Sequence, residues 1–221
     1  SRQQKAIELY KKAIAFYPDI PESYLNIGSI LRVQGKLKEA ENYILKVIEM
    51  NPKNFSANLN LGNIMLDQGN LIKAEKFTRK AISLKPDNAI SHCNLGTILK
   101  DLDRLQEAEI STRKAIELKP DEALAHTNLG NLLDILGNIE EAEASARKAI
   151  ELKPDYALGH LNLGTILKGS DKLQEAESSY RKAIELNPEF DDAYYNLSHI
   201  LIKLNKFKEG WNHFERRWKI S

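Results

Sequence analysis

Six prolines, Pro18, Pro52, Pro86, Pro120, Pro154 and Pro188, stand 34 residues apart with no insertion or deletion between them. A register kept through five periods demands that one supersecondary unit be laid down repeatedly. Between the prolines the same text returns: Asn-Leu-Gly begins at Asn60, Asn94, Asn128 and Asn162, and Arg-Lys-Ala-Ile at Arg113, Arg147 and Arg181.

Each period reads as two helices. The first carries apolar residues such as Leu95, Ile98 and Leu99, spaced at three and four, and the second does so with Ala108, Ala115, Ile116 and Leu118. Between them stands Gly35, Gly69 or Gly137, or in its place Asp103, Asp171 or Asn205. These residue types tolerate a left-handed backbone, so the spacing predicts a tight turn there. The proline closes the second helix because it lacks the next N–H donor. Asp87, Asp121 and Asp155 follow it and are expected to help cap the next helix.

Gly28, Gly62, Gly96, Gly130 and Gly164 fall mid-helix, where glycine costs about 1 kcal/mol against alanine. Close approach of the paired helix is the physical reason, with Ala40, Ala74, Ala108, Ala142 and Ala176 as the expected meeting points. One such hairpin cannot bury its apolar face alone, so the core must come from stacking.

These residues resemble the tetratricopeptide repeat (TPR) family, whose pattern is met by Tyr24, Ile27-Gly28, Leu31, Ala40, Ile44, Val47 and Pro52. Later repeats depart at the first position, where Asn58, His92, His126 and His160 replace the aromatic. The resemblance implies an all-α fold, a right-handed superhelix (α-solenoid) of tandem hairpins. It divides the chain into a half repeat at 1–20, five full repeats at 21–54, 55–88, 89–122, 123–156 and 157–190, and a divergent sixth at 191–221.

The family's superhelix lines its concave groove with first-helix side chains. Carried onto this sequence, one row is Asn26, Asn60, Asn94, Asn128, Asn162 and Asn196, and a second is Ser29, Asn63, Thr97, Asn131, Thr165 and His199. An asparagine ladder, with a donor and an acceptor at each rung, holds the backbone of an extended peptide without demanding particular side chains. It equally braces neighbouring helices, and the two roles are compatible. Arg32, Lys100 and Lys168 are expected to point into the groove, as are Asp67, Asp101 and Asp134. Members that bind chaperone tails carry a clamp of basic residues; Leu25, Leu59, Thr127 and Leu161 occupy its lysine positions here, which argues against that role. On the opposite surface Glu75–Arg79, Glu109–Arg113, Glu143–Arg147 and Glu177–Arg181 read as solvated pairs, each contributing a few tenths of a kcal/mol.

Catalysis finds no footing in this text. His92, His126 and His160 sit at equivalent places in successive repeats, one or two helix packings of about 8–10 Å apart, too far to share an ion held by bonds near 2 Å. They are read as packing residues, with no metal and no cofactor. Cys93 has no companion at ligand spacing, and no phosphate-cradling glycine loop appears. The 32 basic residues nearly balance the 31 acidic ones, which gives no field for nucleic acid or an anionic membrane. No apolar run approaches the roughly 20 residues of a membrane helix. A single cysteine and no signal-peptide stretch at Ser1–Lys5 favour a cytoplasmic setting.

The ends break the pattern. Residues 1–20 read as a second helix without its first, whose face of Ile7, Tyr10 and Ile14 is expected to lie bare, so the chain reads as a piece of a longer one. At the other end Trp211, Phe214 and Trp218 share a helical face, Trp211 standing where earlier repeats carry glutamate, and Arg217 replaces an alanine at a stacking position. This makes Trp211, Phe214 and Trp218 interface candidates. The segment from Glu209 to Trp218 resembles the closing segment of arrays that precede glycosyltransferase-like domains, and the His-x-Asn-Leu-Gly repeats resemble the recruiting array of O-GlcNAc transferases. The expectation is therefore a protein- or peptide-binding scaffold that is not itself an enzyme. Two alternatives remain open: the substrate-recruiting arm of a glycosyltransferase with a downstream domain, and a scaffold self-associating through its ends.

Overall fold

The structure is a computed structural model that describes residues 2–215. Thirteen α-helices and no strands occur among these residues: α1 (Arg2–Phe16), α2 (Pro21–Val33), α3 (Leu37–Met50), α4 (Phe55–Asp67), α5 (Leu71–Leu84), α6 (Ala89–Asp101), α7 (Leu105–Leu118), α8 (Ala123–Ile135), α9 (Ile139–Leu152), α10 (Ala157–Gly169), α11 (Leu173–Leu186), α12 (Asp191–Lys203) and α13 (Phe207–Glu215). The fold is the all-α class of tandem helical hairpins. The chain forms two compact units, Ser1–Ser111 and Thr112–Ser221, divided inside α7.

The turn inside each hairpin is set by one backbone position. Gly35, Gly69 and Gly137 have φ of 72°, 73° and 80°, and Asp103, Asp171 and Asn205 follow at 59°, 58° and 61°. Such a residue lets the chain reverse while the next N–H reaches back five residues, from Lys36 to Leu31 O at 2.9 Å and from Lys172 to Leu167 O at 2.9 Å. This Schellman closure satisfies carbonyls that the helix end would leave orphaned.

Capping of the first helices differs from expectation. Asp87, Asp121 and Asp155 lie exposed in the turn, one residue short of the cap, and the caps are Asn54, Asn88, Glu122 and Tyr156. Only the asparagines cap through a side chain, Asn54 to the Ala57 N–H at 2.9 Å and Asn88 to the Ser91 N–H at 2.8 Å.

The core of the first unit is built on Ile27, Leu31, Ile44, Val47, Leu61, Ile64 and Met65; that of the second on Leu133, Ile166, Leu167, Tyr180, Leu197, Ile200 and Leu201. The mid-helix glycines do mark close approach, but the neighbour is not chiefly the alanine. A Cβ on Gly62 would stand 2.6 Å from Thr78 Oγ1, and on Gly164 2.7 Å from the Tyr180 ring. The alanine contributes its backbone: Ala142 O would lie 3.1 Å from a Cβ on Gly130. The α1 face is also not bare, because Ile7 is buried and Tyr10 and Ile14 are half-buried against the first unit's core. A second helix buries its inner stripe on the first helix that follows it; Leu9 and Phe16, on other faces of α1, stay exposed.

Candidate functional site

Residues at i, i+4, i+7 and i+11 share one face of a helix. On α4 this face holds Ser56, Asn60, Asn63 and Asp67; on α6, Ile90, Asn94, Thr97 and Asp101. On α8 it holds Leu124, Asn128, Asn131 and Ile135; on α10, Leu158, Asn162, Thr165 and Gly169.

In the first unit these polar groups bond to one another across repeats. Asn94 Nδ2 donates to Asn63 Oδ1 at 2.6 Å, and Asn60 Nδ2 lies 3.5 Å from Ser29 Oγ. Arg32 pairs with Asp67 at 2.6 Å and Lys100 with Asp101 at 2.8 Å. Asn26, at the start of the row, is exposed, and Thr97 Oγ1 turns back to Cys93 O at 3.3 Å. The bracing role of the asparagines is thus present at Asn60 and Asn94. Each such bond uses one donor and one acceptor, and a primary amide offers two donors and two lone pairs, so the rungs keep capacity for a ligand.

The second unit arranges the same positions differently. Lys168 Nζ donates to Asn196 Oδ1 at 2.9 Å, and Thr165 Oγ1 donates to Leu161 O at 3.1 Å while receiving the Tyr180 hydroxyl at 3.3 Å. Burial pushes the Tyr180 phenol up to about 12. Asn128 and Asn131 are half-buried; Asn162 is buried, with no hydrogen-bond partner for Nδ2 among the described residues. Asp134 is half-buried, and burial raises its carboxyl above the usual range against the opposing pull of Lys168. His199, the last member of the second row, packs edge-on against Tyr195 at 4.5 Å.

Sequence reasoning missed the apolar residues flanking the polar rows. Leu124 and Ile135 flank Asn128 and Asn131 on α8, at 39 % and 57 % exposure, and Ile90 and Val33 stand exposed on the corresponding face of α6 and α2. The signal was present: carrying the helical spacing one turn before Asn94 and Asn128, or one turn beyond Ser29 and Asn131, reaches them.

The histidines have a more specific role than packing. Nε2 of His92, His126 and His160 lies 2.9, 2.8 and 2.9 Å from the carbonyl oxygen of Pro86, Pro120 and Pro154. A carbonyl only accepts, so Nε2 carries the proton and ties the first helix to the proline turn. Asn58 makes the same tie to Pro52 O at 3.2 Å.

The opposite surface is also more than a set of solvated pairs. Glu75, Glu143 and Glu177 have side chains only 15 %, 15 % and 11 % exposed, and each takes two cations: Arg79 and Arg104, Arg147 and Lys172, Arg181 and Lys206. The second cation comes from the following repeat, making a charged seam. Arg79, Arg147 and Arg181 continue it to Glu107, Glu175 and Glu209. Burial pulls the Glu75 and Glu177 carboxyls upward, but the cations win and hold both below the carboxylate range; hydrogen bonds from Lys172 and Arg147 hold Glu143 down.

At the end of the described chain Trp211 is 55 % exposed and meets Phe214 edge-on at 5.8 Å. Phe214 is half-buried beside Tyr195 and His199, while Trp218 and Arg217 lie outside the described residues. Among the described residues no helix is long and apolar enough to cross a membrane.

These features define a class: a helical-repeat array that carries an asparagine at the same position of each first helix from α2 to α12. Tetratricopeptide repeat models match residues 21–54, 43–76, 89–122, 123–156, 157–190 and 179–211. The chain belongs to the tetratricopeptide repeat family, the class of right-handed α-solenoids. It resembles a crystal structure of the APC/C hetero-tetramer Cut9–Hcn1, with 17 % identity and a TM-score of 0.91, over 99 % of this chain and 44 % of that one. It also resembles YrrB, described as a TPR protein with an unusual peptide-binding site, at 24 % identity, TM-score 0.62, and 85 % and 96 % coverage. MamA is similar at 27 % identity and TM-score 0.62, over 74 % of this chain and 95 % of that protein. No curated protein matches the sequence.

Proposed function

We propose that the array is a non-catalytic, cytoplasmic scaffold holding an extended peptide, or an extended segment of a partner protein, along the first-helix face of each unit. Neither nucleic acid nor a membrane is its target. The observation that carries this reading is the amide repeated on one face, Asn60 and Asn94 in the first unit and Asn128, Asn162 and Asn196 in the second. An extended backbone offers alternating N–H and C=O groups, and amides at repeat spacing meet both. The description of YrrB as a peptide-binding TPR protein supports the reading by analogy. Replacing Asn94, Asn128 and Asn162 with alanine is expected to weaken partner capture in pull-downs while helical circular dichroism stays at the wild-type level. Undiminished capture would move the ligand to another face.

The exposure of Trp211 supports a second reading, in which the array is the recruiting arm of a transferase and Trp211 seats a downstream domain. The coding sequence after Ser221 tests it: a transferase domain there supports it, and an immediate stop sinks it.

A further inference from the structure

The first-helix face of the first unit satisfies its own charges, and that of the second does not. Among the described residues Asp67 is paired with Arg32 and Asp101 with Lys100, whereas the Asp134 carboxylate accepts no hydrogen bond and makes no ion pair. Lys168 acts on it only through space, its ammonium being bonded to Asn196. Nor is Asp134 covered by the facing helix. The residue beside it on α10 is Gly169, where a Cβ would stand 3.9 Å from Asp134 Oδ1 and meet nothing else within 4 Å.

A second open group lies two turns earlier on α10. Asn162 is only 6 % exposed, and its Nδ2 has no partner among the described residues, although a buried amide donor left unmade costs about 1–3 kcal/mol. The equivalent amides Asn60 and Asn94 have partners on the preceding first helix. The α8–α10 face therefore presents a half-buried acceptor with negative charge, flanked by the exposed apolar side chains of Leu124 and Ile135, with the unpartnered Asn162 Nδ2 buried beneath it.

We infer that Asp134 selects partners carrying a lysine or arginine side chain, which pairs with its carboxylate. This rests on the peptide-binding reading and adds a preference to it. A cation arriving at a partly desolvated carboxylate gains a charge-assisted hydrogen bond with less screening than at an open surface, and the apolar neighbours accept the methylene stem. Glutamate or aspartate at the same place would meet Asp134 as a like charge.

The test uses the whole chain and peptides selected against it by display. Each is N-acetylated and C-amidated and is made in three forms whose central residue is lysine, norleucine or glutamate. The lysine form is expected to bind roughly tenfold tighter than the norleucine form, and the glutamate form weakest. Asp134→Asn should abolish the lysine preference, leave norleucine affinity unchanged and keep wild-type circular dichroism. A lysine preference that survives Asp134→Asn, or equal binding of the three forms by wild type, overturns the inference and leaves the peptide-binding reading standing. If the selected peptides bind undiminished after alanine replaces Asn94, Asn128 and Asn162, the reading itself fails.

Discussion

The first-helix faces of the two units carry the same asparagine row but treat it differently. In the first, Asn94 bonds to Asn63 and each carboxylate has a cation; in the second, Asn162 and Asp134 are left open. The cause is a change of residues in two rows: Ile135 and Gly169 take the place of Asp67 and Asp101, and Asp134 stands where Arg32, Lys100 and Lys168 carry a cation. Residue 67 is Asp opposite Arg32, whereas the cation near Asp134 is Lys168, which bonds Asn196 instead. Repetition thus preserves a scaffold on which single substitutions turn a braced face into an open one.

The largest effect expected from perturbing this contrast lies beneath the face. Gly164 packs on the Tyr180 ring and Gly28 on the end of the Ile44 side chain. An added methyl meets a rigid ring in the first case and a rotatable chain end in the second. Gly164→Ala should lose about 1–3 kcal/mol in urea denaturation, while at Gly28 the helix-propensity gain of about 1 kcal/mol offsets most of the strain. Equal losses would mean that the two cores yield alike.

The charged seam should not distinguish the units. Replacing Glu75 or Glu143 with glutamine is expected to remove about 0.5–1 kcal/mol at neutral pH, more than an isolated exposed pair because each glutamate serves two cations. The folded carboxyls are held below their unfolded value near 4.3, so this contribution is complete above that pH and fades as pH falls through the folded values. Asp134 has the opposite sign. Its raised carboxyl makes folding costlier as pH rises from the unfolded value through the folded one, so Asp134→Asn should melt at or above the wild-type temperature at pH 7 and lose that advantage in acid. A lower melting temperature for Asp134→Asn at pH 7 would show that the residue is structural.

The smallest effect is expected at the histidine ties. His92→Phe and His126→Phe each give up one bond to a proline carbonyl that water can replace, so each should lose about 0.5 kcal/mol by thermal melting. A much larger loss at one of them would mean that its turn is locally strained.

The sequence by itself determined the hairpins, the turns and the face. Apolar spacing sets two helices per period, Gly35 or Asp103 names the left-handed turn, and each Asn-Leu-Gly places its amide opposite a buried leucine or its equivalent. These depend on local backbone preference and helical period, which a sequence displays directly. The tertiary structure decided the partners: Glu75 shared between Arg79 and Arg104, His126 reaching Pro120, Asn88 rather than Asp87 capping, and Asp134 left without an ion pair. Such choices turn on ångström differences between side chains about 30 residues apart, or on a shift of one position at a helix start. The 34-residue period is the same whichever partner wins.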